Sequence, residues 1–113
     1  MPMSTLRLTP IAVLVCLAMF AVPIRTQAQA DAAKTFKTNC VQCHADNGSG
    51  ETSSGKALKA KDLRSEEVQK QSDAELSEII AKGKGKMPAF GAKIKADDMK
   101  NLVAYIRDLA KKK

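Results

Sequence analysis

Cys40-Val41-Gln42-Cys43-His44 packs two thiols and an imidazole into five positions. These are the only cysteines past residue 30 and the only histidine of the 113-residue chain. The chemistry of this stretch decides the fold, because little else in the sequence can hold so small a domain together.

Upstream of it, residues 1–30 read as a cleaved secretory signal peptide. Arg7 gives a positive start, Ile11 to Val22 form an apolar run of twelve, Pro23 breaks the run, and Ala28-Gln29-Ala30 is a small-residue cleavage motif. The run falls short of the ~20 apolar residues that span a bilayer, so no membrane span is expected after processing. Cys16 lies inside this run behind the bulky Val13-Leu14-Val15 and is expected to leave with the signal rather than to carry a lipid. Export then places residues 31–113, one domain, in the periplasm or otherwise outside the cytoplasm.

A domain of 83 residues whose only aromatics are Phe36, Phe90 and Tyr105 buries a limited core and needs a staple, such as a disulfide, a metal or another non-protein centre. Its seventeen Lys and Arg against twelve Asp and Glu leave it at about +5. Fifteen of the positive residues are lysines, and no aromatics are interleaved among them as platforms for stacked bases. Export and this pattern exclude a nucleic-acid partner. A basic exported domain suits an acidic protein or an anionic surface.

Apolar periodicity is helical throughout. Ala32, Phe36 and Cys40 share one face of a helix expected from about Ala32 to the cysteines. Ser72 and Glu75 form a capping box ahead of Leu76, Ile79 and Ile80, which predicts a helix over Asp73–Lys82 closed by Gly83. Asp97 and Asp98 open a third helix with an apolar stripe of Met99, Leu102, Val103, Ile106 and Leu109. Residues 45–56, rich in glycine and serine, predict a surface loop, and a short helical turn is expected around Ser65–Lys70. Pro88, the only proline past residue 30, takes Met87 off any helix and onto the loop over residues 83–93.

Three chemistries use a Cys-x-x-Cys-His cluster. A structural zinc site needs four ligands, and past residue 30 the chain offers three Cys and His. A redox disulfide belongs at a helix N-terminus after a strand, whereas here a helix precedes the cysteines and no strand pattern exists. Covalent attachment of one haem c uses every residue: the thiols of Cys40 and Cys43 add across the two porphyrin vinyl groups, and His44 becomes the proximal iron ligand. It also supplies the staple. A sixth ligand must then be a methionine. Met99 sits on an apolar helical stripe and is expected to be core, whereas Met87, 43 residues after His44, lies on a loop where Gly83 and Gly85 let the backbone approach the porphyrin closely.

With these residues in place, the chain resembles the class I c-type cytochromes, more narrowly the small soluble mono-haem carriers of the c6 and c553 type. The resemblance covers residues 31–113 and rests on Cys-Val-Gln-Cys-His, on Lys-Met-Pro-Ala-Phe at 86–90 and on Asp-Asp-Met-Lys-Asn-Leu-Val-Ala-Tyr-Ile at 97–106. It implies an all-α cytochrome c fold, three main helices plus short turns and loops wrapped around the haem, with the first and last helices crossing beside it. Ala32 and Phe36 match the contact positions on the first helix, and Leu102 and Tyr105 those on the last. Many members carry a proline near the carbonyl that orients the ligating histidine. In this chain Lys56, within Gly-Lys-Ala-Leu at 55–58, stands where that proline is expected, which leaves the acceptor for His44 open.

The sequence thus reads as a monomeric, exported electron carrier and not an enzyme, with His44 and Met87 on the iron and acidic redox partners docking at a haem edge ringed by Lys82, Lys84, Lys86 and Lys93. Its rivals are a haem subunit of a larger oxidoreductase complex, and a haem enzyme or gas-binding protein from which Met87 is displaced.

Overall fold

A computed structural model describes residues 25–113. The apolar run, Cys16 and the other signal features up to residue 24 lie outside the described residues. Among the described residues six helices follow one another: α1 Gln27–Asn39, α2 Val41–His44, α3 Ser53–Leu58, α4 Glu66–Gln69, α5 Asp73–Lys82 and α6 Ala96–Lys111. Among the described residues there is no strand, and the one isolated bridge pairs Lys84 with Met87. The architecture is the expected all-α one, with α1, α5 and α6 as the long elements.

The start of α1 departs from expectation. It begins at Gln27 rather than near Ala32, because Thr26 caps it: the hydroxyl accepts from the Gln29 N–H while the Gln29 side chain accepts from the Thr26 N–H at 3.0 Å. Thr26-x-x-Gln29 is a capping box that overlaps Ala28-Gln29-Ala30, the stretch read as a cleavage motif. The expected cut after Ala30 therefore falls in the first turn of this helix.

A second departure lies in the segment expected to be a loop. Thr52 caps a helix over Ser53–Leu58 by accepting the Gly55 N–H at 2.8 Å, and Lys59 ends it in the left-handed conformation at φ 55°. By contrast, α5 has the expected bounds, with Ser72 and Glu75 closing the capping box. α4 falls within the predicted turn, and its Ser65 cap holds the Val68 N–H.

The core forms where α1 crosses α6, the pair implied by the family resemblance. Ala32 and Phe36 from α1 are buried, as are Met99, Leu102, Val103, Ile106 and Leu109 from α6. Phe36 and Tyr105 meet at a centroid distance of 5.2 Å with planes tilted by 48°, between edge-on and stacked geometry. α5 adds Leu76 and Ile80, α4 adds Val68, and the segment before α6 adds Phe90 and Ile94. Among the described residues no polar side chain is buried with them.

The ends of α4 and α5 are secured from α6 by one side chain. Arg107 donates to the Gln69 carbonyl at 2.9 Å, to the Gln71 carbonyl at 2.6 Å and to the Asp73 carboxylate at 2.8 Å. Carbonyls that the short α4 leaves without helical partners are satisfied in this way.

Because Met99 is 7% exposed, its truncation removes packed volume from the α6 stripe. Met99→Ala should cost about 2 to 5 kcal/mol in urea unfolding of the holoprotein while leaving its visible spectrum unchanged.

Candidate functional site

Cys40 ends α1 and begins α2 at once. Its N–H donates to the Phe36 carbonyl at 2.8 Å, and its own carbonyl accepts from His44 at 2.9 Å. The Cys-His turn therefore hangs directly from the core aromatic of α1. Both thiols are unpaired and half-buried.

Burial, with a smaller contribution from neighbouring Cys43, pushes the Cys40 thiol up to about 11. A redox-active Cys-x-x-Cys requires the opposite, a thiol lowered toward neutrality so that thiolate is present to attack. Cys40 instead stays protonated at neutral pH, the form whose S–H adds across a vinyl group. Among the described residues no three His, Cys, Asp or Glu side chains converge on a metal-sized site.

His44 is half-buried, and burial lowers its basicity against the opposing pull of a hydrogen bond to the Lys61 carbonyl. The Nδ1 to oxygen distance is 3.0 Å. A carbonyl only accepts, so the proton resides on Nδ1 and the lone pair on Nε2, which is the tautomer a metal requires. The acceptor left open by the sequence is thus the Lys61 carbonyl, which lies beyond Lys56, where the family's proline is expected. No sequence pattern marked it, since any residue carries a carbonyl.

Thr52 and Gly55 fasten the turn from α3. The Thr52 hydroxyl donates to the Gln42 carbonyl at 2.7 Å. Gly55 packs so closely beneath that a Cβ there would collide with the carbonyl oxygens of Cys43 and Gly50. Neither residue stood out in the sequence reading, because the helix that brings them here was not foreseen.

Met87 is half-buried and packs against the core cluster, as does Cys40. Its loop closes on itself: the Met87 N–H donates to the Lys84 carbonyl at 3.0 Å, and the Lys84 N–H returns the bond to Met87 at 3.1 Å. Gly83, at φ 77°, makes this possible, since a Cβ would come within 2.6 Å of the Met87 carbonyl. The tight fit at Gly83 is thus with the backbone of the Met87 loop itself. Beyond Met87, the Phe90 and Gly91 N–H groups donate to the Ile80 and Ala81 carbonyls at 2.9 and 3.1 Å, tying the loop to the end of α5. Met99, in contrast, lies in the core.

The donor set fits a covalently held haem: two free thiols, an imidazole with its Nε2 lone pair available, and a thioether on a braced loop, with Cys40 and Met87 packed against the apolar core.

Residues 27–106 match the family described as cytochrome C oxidase, cbb3-type, subunit III. The cytochrome c6 of Aphanizomenon flos-aquae is 38% identical over 81 residues, covering 69% of this chain and 86% of that protein. The cytochrome c6 of a Picosynechococcus strain is 31% identical over 113 residues, 96% of each chain. Among solved structures, the KustC0563 c-type cytochrome superposes with a TM-score of 0.65 at 31% identity, covering 70% of this chain and 96% of that one.

Gly55→Ala should displace the Cys-His turn, since the carbonyls it meets are fixed backbone. The expected cost is about 1 to 3 kcal/mol in denaturant unfolding together with reduced haem incorporation, read from the ratio of haem absorbance to protein. A wild-type ratio would show that the turn yields without loss.

Proposed function

Because the chain belongs to the small class I c-type cytochromes and so carries haem c covalently, we propose that it is exported and carries single electrons with His44 and Met87 as axial iron ligands. The observation that carries this reading is the His44 Nδ1 to Lys61 carbonyl bond of 3.0 Å, which presents Nε2 as the free donor. When bound, the haem supplies a one-electron iron couple within the ~0.8 V range that axial ligation spans.

The chain's own residues determine how that couple behaves. Cys40 and Cys43 form the thioethers and fix the group to the end of α1. The Met87 sulfur is soft and favours the ferrous state, which raises the potential. The braced loop around Met87 keeps its sulfur in place through a redox cycle, so reorganisation stays small. Arg64 and Arg107 are engaged by Asp62 and Asp73, so neither stands ready as an acid or donor for bound peroxide.

Docking falls to the lysines around the Met87 loop. Lys82 is paired with Glu78 at 2.6 Å and contributes less than the sequence suggested. Lys84 and Lys86 are exposed in the loop itself, and Lys93 lies 5.9 Å over the Phe90 ring. These charges steer an acidic redox partner toward the edge where Met87 sits, without requiring tight binding.

The family description as an oxidase subunit favours one alternative, a haem subunit that works inside a larger complex. Size-exclusion of the periplasmic fraction separates the two readings: a carrier elutes as a monomer, a subunit with its complex. N-terminal sequencing of the same material reads the cleavage site directly.

Met87→Ala should abolish the weak far-red absorption of sulfur-to-iron ligation, turn the ferric protein high-spin or aquated, and lower the potential. Persistence of that band would remove Met87 from the iron. Charge reversal at Lys84 and Lys86 should slow association with an acidic partner by about tenfold at low salt. The same change at Lys111 and Lys112 should do far less, and equal effects would reduce docking to net charge.

A further inference from the structure

His44 is aimed by one acceptor, and that carbonyl belongs to the peptide joining Lys61 to Asp62. Whatever fixes Asp62 therefore fixes the direction of the acceptor. Asp62 is held twice by Arg64: its Oδ1 accepts the Arg64 backbone N–H at 2.9 Å, and its carboxylate takes the guanidinium as a two-point fork, with Nε at 3.0 Å and Nη2 at 3.1 Å. The Asp62 carbonyl accepts from Ser65 at 3.1 Å, which closes the turn behind it.

The turn is also fastened to the surrounding structure. Leu63 donates to the Gly48 carbonyl at 2.7 Å, in the loop that leaves His44, and Gln69 Nε2 holds the Leu63 carbonyl at 2.7 Å. The Arg64 and Asp62 side chains are 20% and 34% exposed, the most covered of the ion pairs among the described residues. A bidentate, partly covered fork keeps its geometry where an exposed single contact does not.

We propose that the Asp62–Arg64 fork is a positioning pair for the haem iron, holding the Lys61 carbonyl against the His44 Nδ1–H and thereby setting the basicity of the axial imidazole. The inference rests on His44 being a ligand. An acceptor held at Nδ1 shifts electron density onto the ring and makes it a stronger donor to ferric iron, which lowers the potential. The fork thus works against the rise contributed by Met87.

Arg64→Gln in the holoprotein discriminates sharply, because the two explanations predict opposite signs. Removing a positive charge favours ferric iron and lowers the potential if charge alone matters. Loosening the fork weakens the imidazole and raises it. The expected result is a raised potential together with roughly tenfold faster solvent exchange of the His44 Nδ1 proton in the ferrous protein, as a weakened hydrogen bond allows. Asp62→Asn, isosteric and still able to cap the Arg64 N–H, serves if Arg64→Gln does not accumulate: loss of a negative charge raises the potential on either explanation, so in this variant the faster exchange of the His44 Nδ1 proton decides. A lowered potential in Arg64→Gln, or wild-type exchange in the variant measured, overturns the proposal. The ligand reading fails separately: the wild-type ferrous protein would then lack haem-shifted His44 ring resonances, and the positioning proposal falls with it.

Discussion

Phe36 and Tyr105 meet where α1 crosses α6, and the Phe36 backbone carries the functional turn as well, through its carbonyl and the Cys40 N–H at 2.8 Å. One residue thus belongs both to the buried seam and to the start of the Cys-His motif. With Leu102 and Val103 fully buried against it, the seam has no freedom to shift without moving Cys40. The Cys-His turn thus takes part of its rigidity from the core. In so small a domain this economy matters, since a separate scaffold for the site would need apolar side chains that the chain lacks.

The two flanks of the site are braced by different means. On the His44 side the braces are polar: Thr52 holds the turn, the Lys61 carbonyl holds the ring, and the Asp62–Arg64 fork holds that peptide. On the Met87 side they are backbone bonds within a tight loop and onto α5. Both leave a half-buried side chain, while Lys82, Lys84, Lys86 and Lys93 remain exposed.

Much of this was legible in the residues. The Ser72–Glu75 box marked a helix with the observed bounds, and the stripe of α6 one that starts a residue before Asp97, because in both places local propensity and tertiary packing agree. The Cys-His cluster announced its chemistry because three residues of two scarce types, cysteine and histidine, are concentrated in five positions. What the sequence hid is backbone business. The helix over Ser53–Leu58 looked like a loop because it is short and built of serine, glycine and lysine, and its reason to exist is the Thr52 cap and the close packing of Gly55 under Cys43. The capping box at Thr26 was hidden by overlap with a motif read for cleavage. The acceptor for His44 was invisible because carbonyls have no letter in the sequence.

We propose His44 and Met87 as the two axial donors. Iron-edge X-ray absorption of the purified holoprotein counts the atoms bound to the metal directly. Five nitrogen neighbours and one sulfur, in both oxidation states, is the result the structure leads one to expect. A shell of nitrogen and oxygen alone, or a sulfur present in one oxidation state and lost in the other, would contradict it.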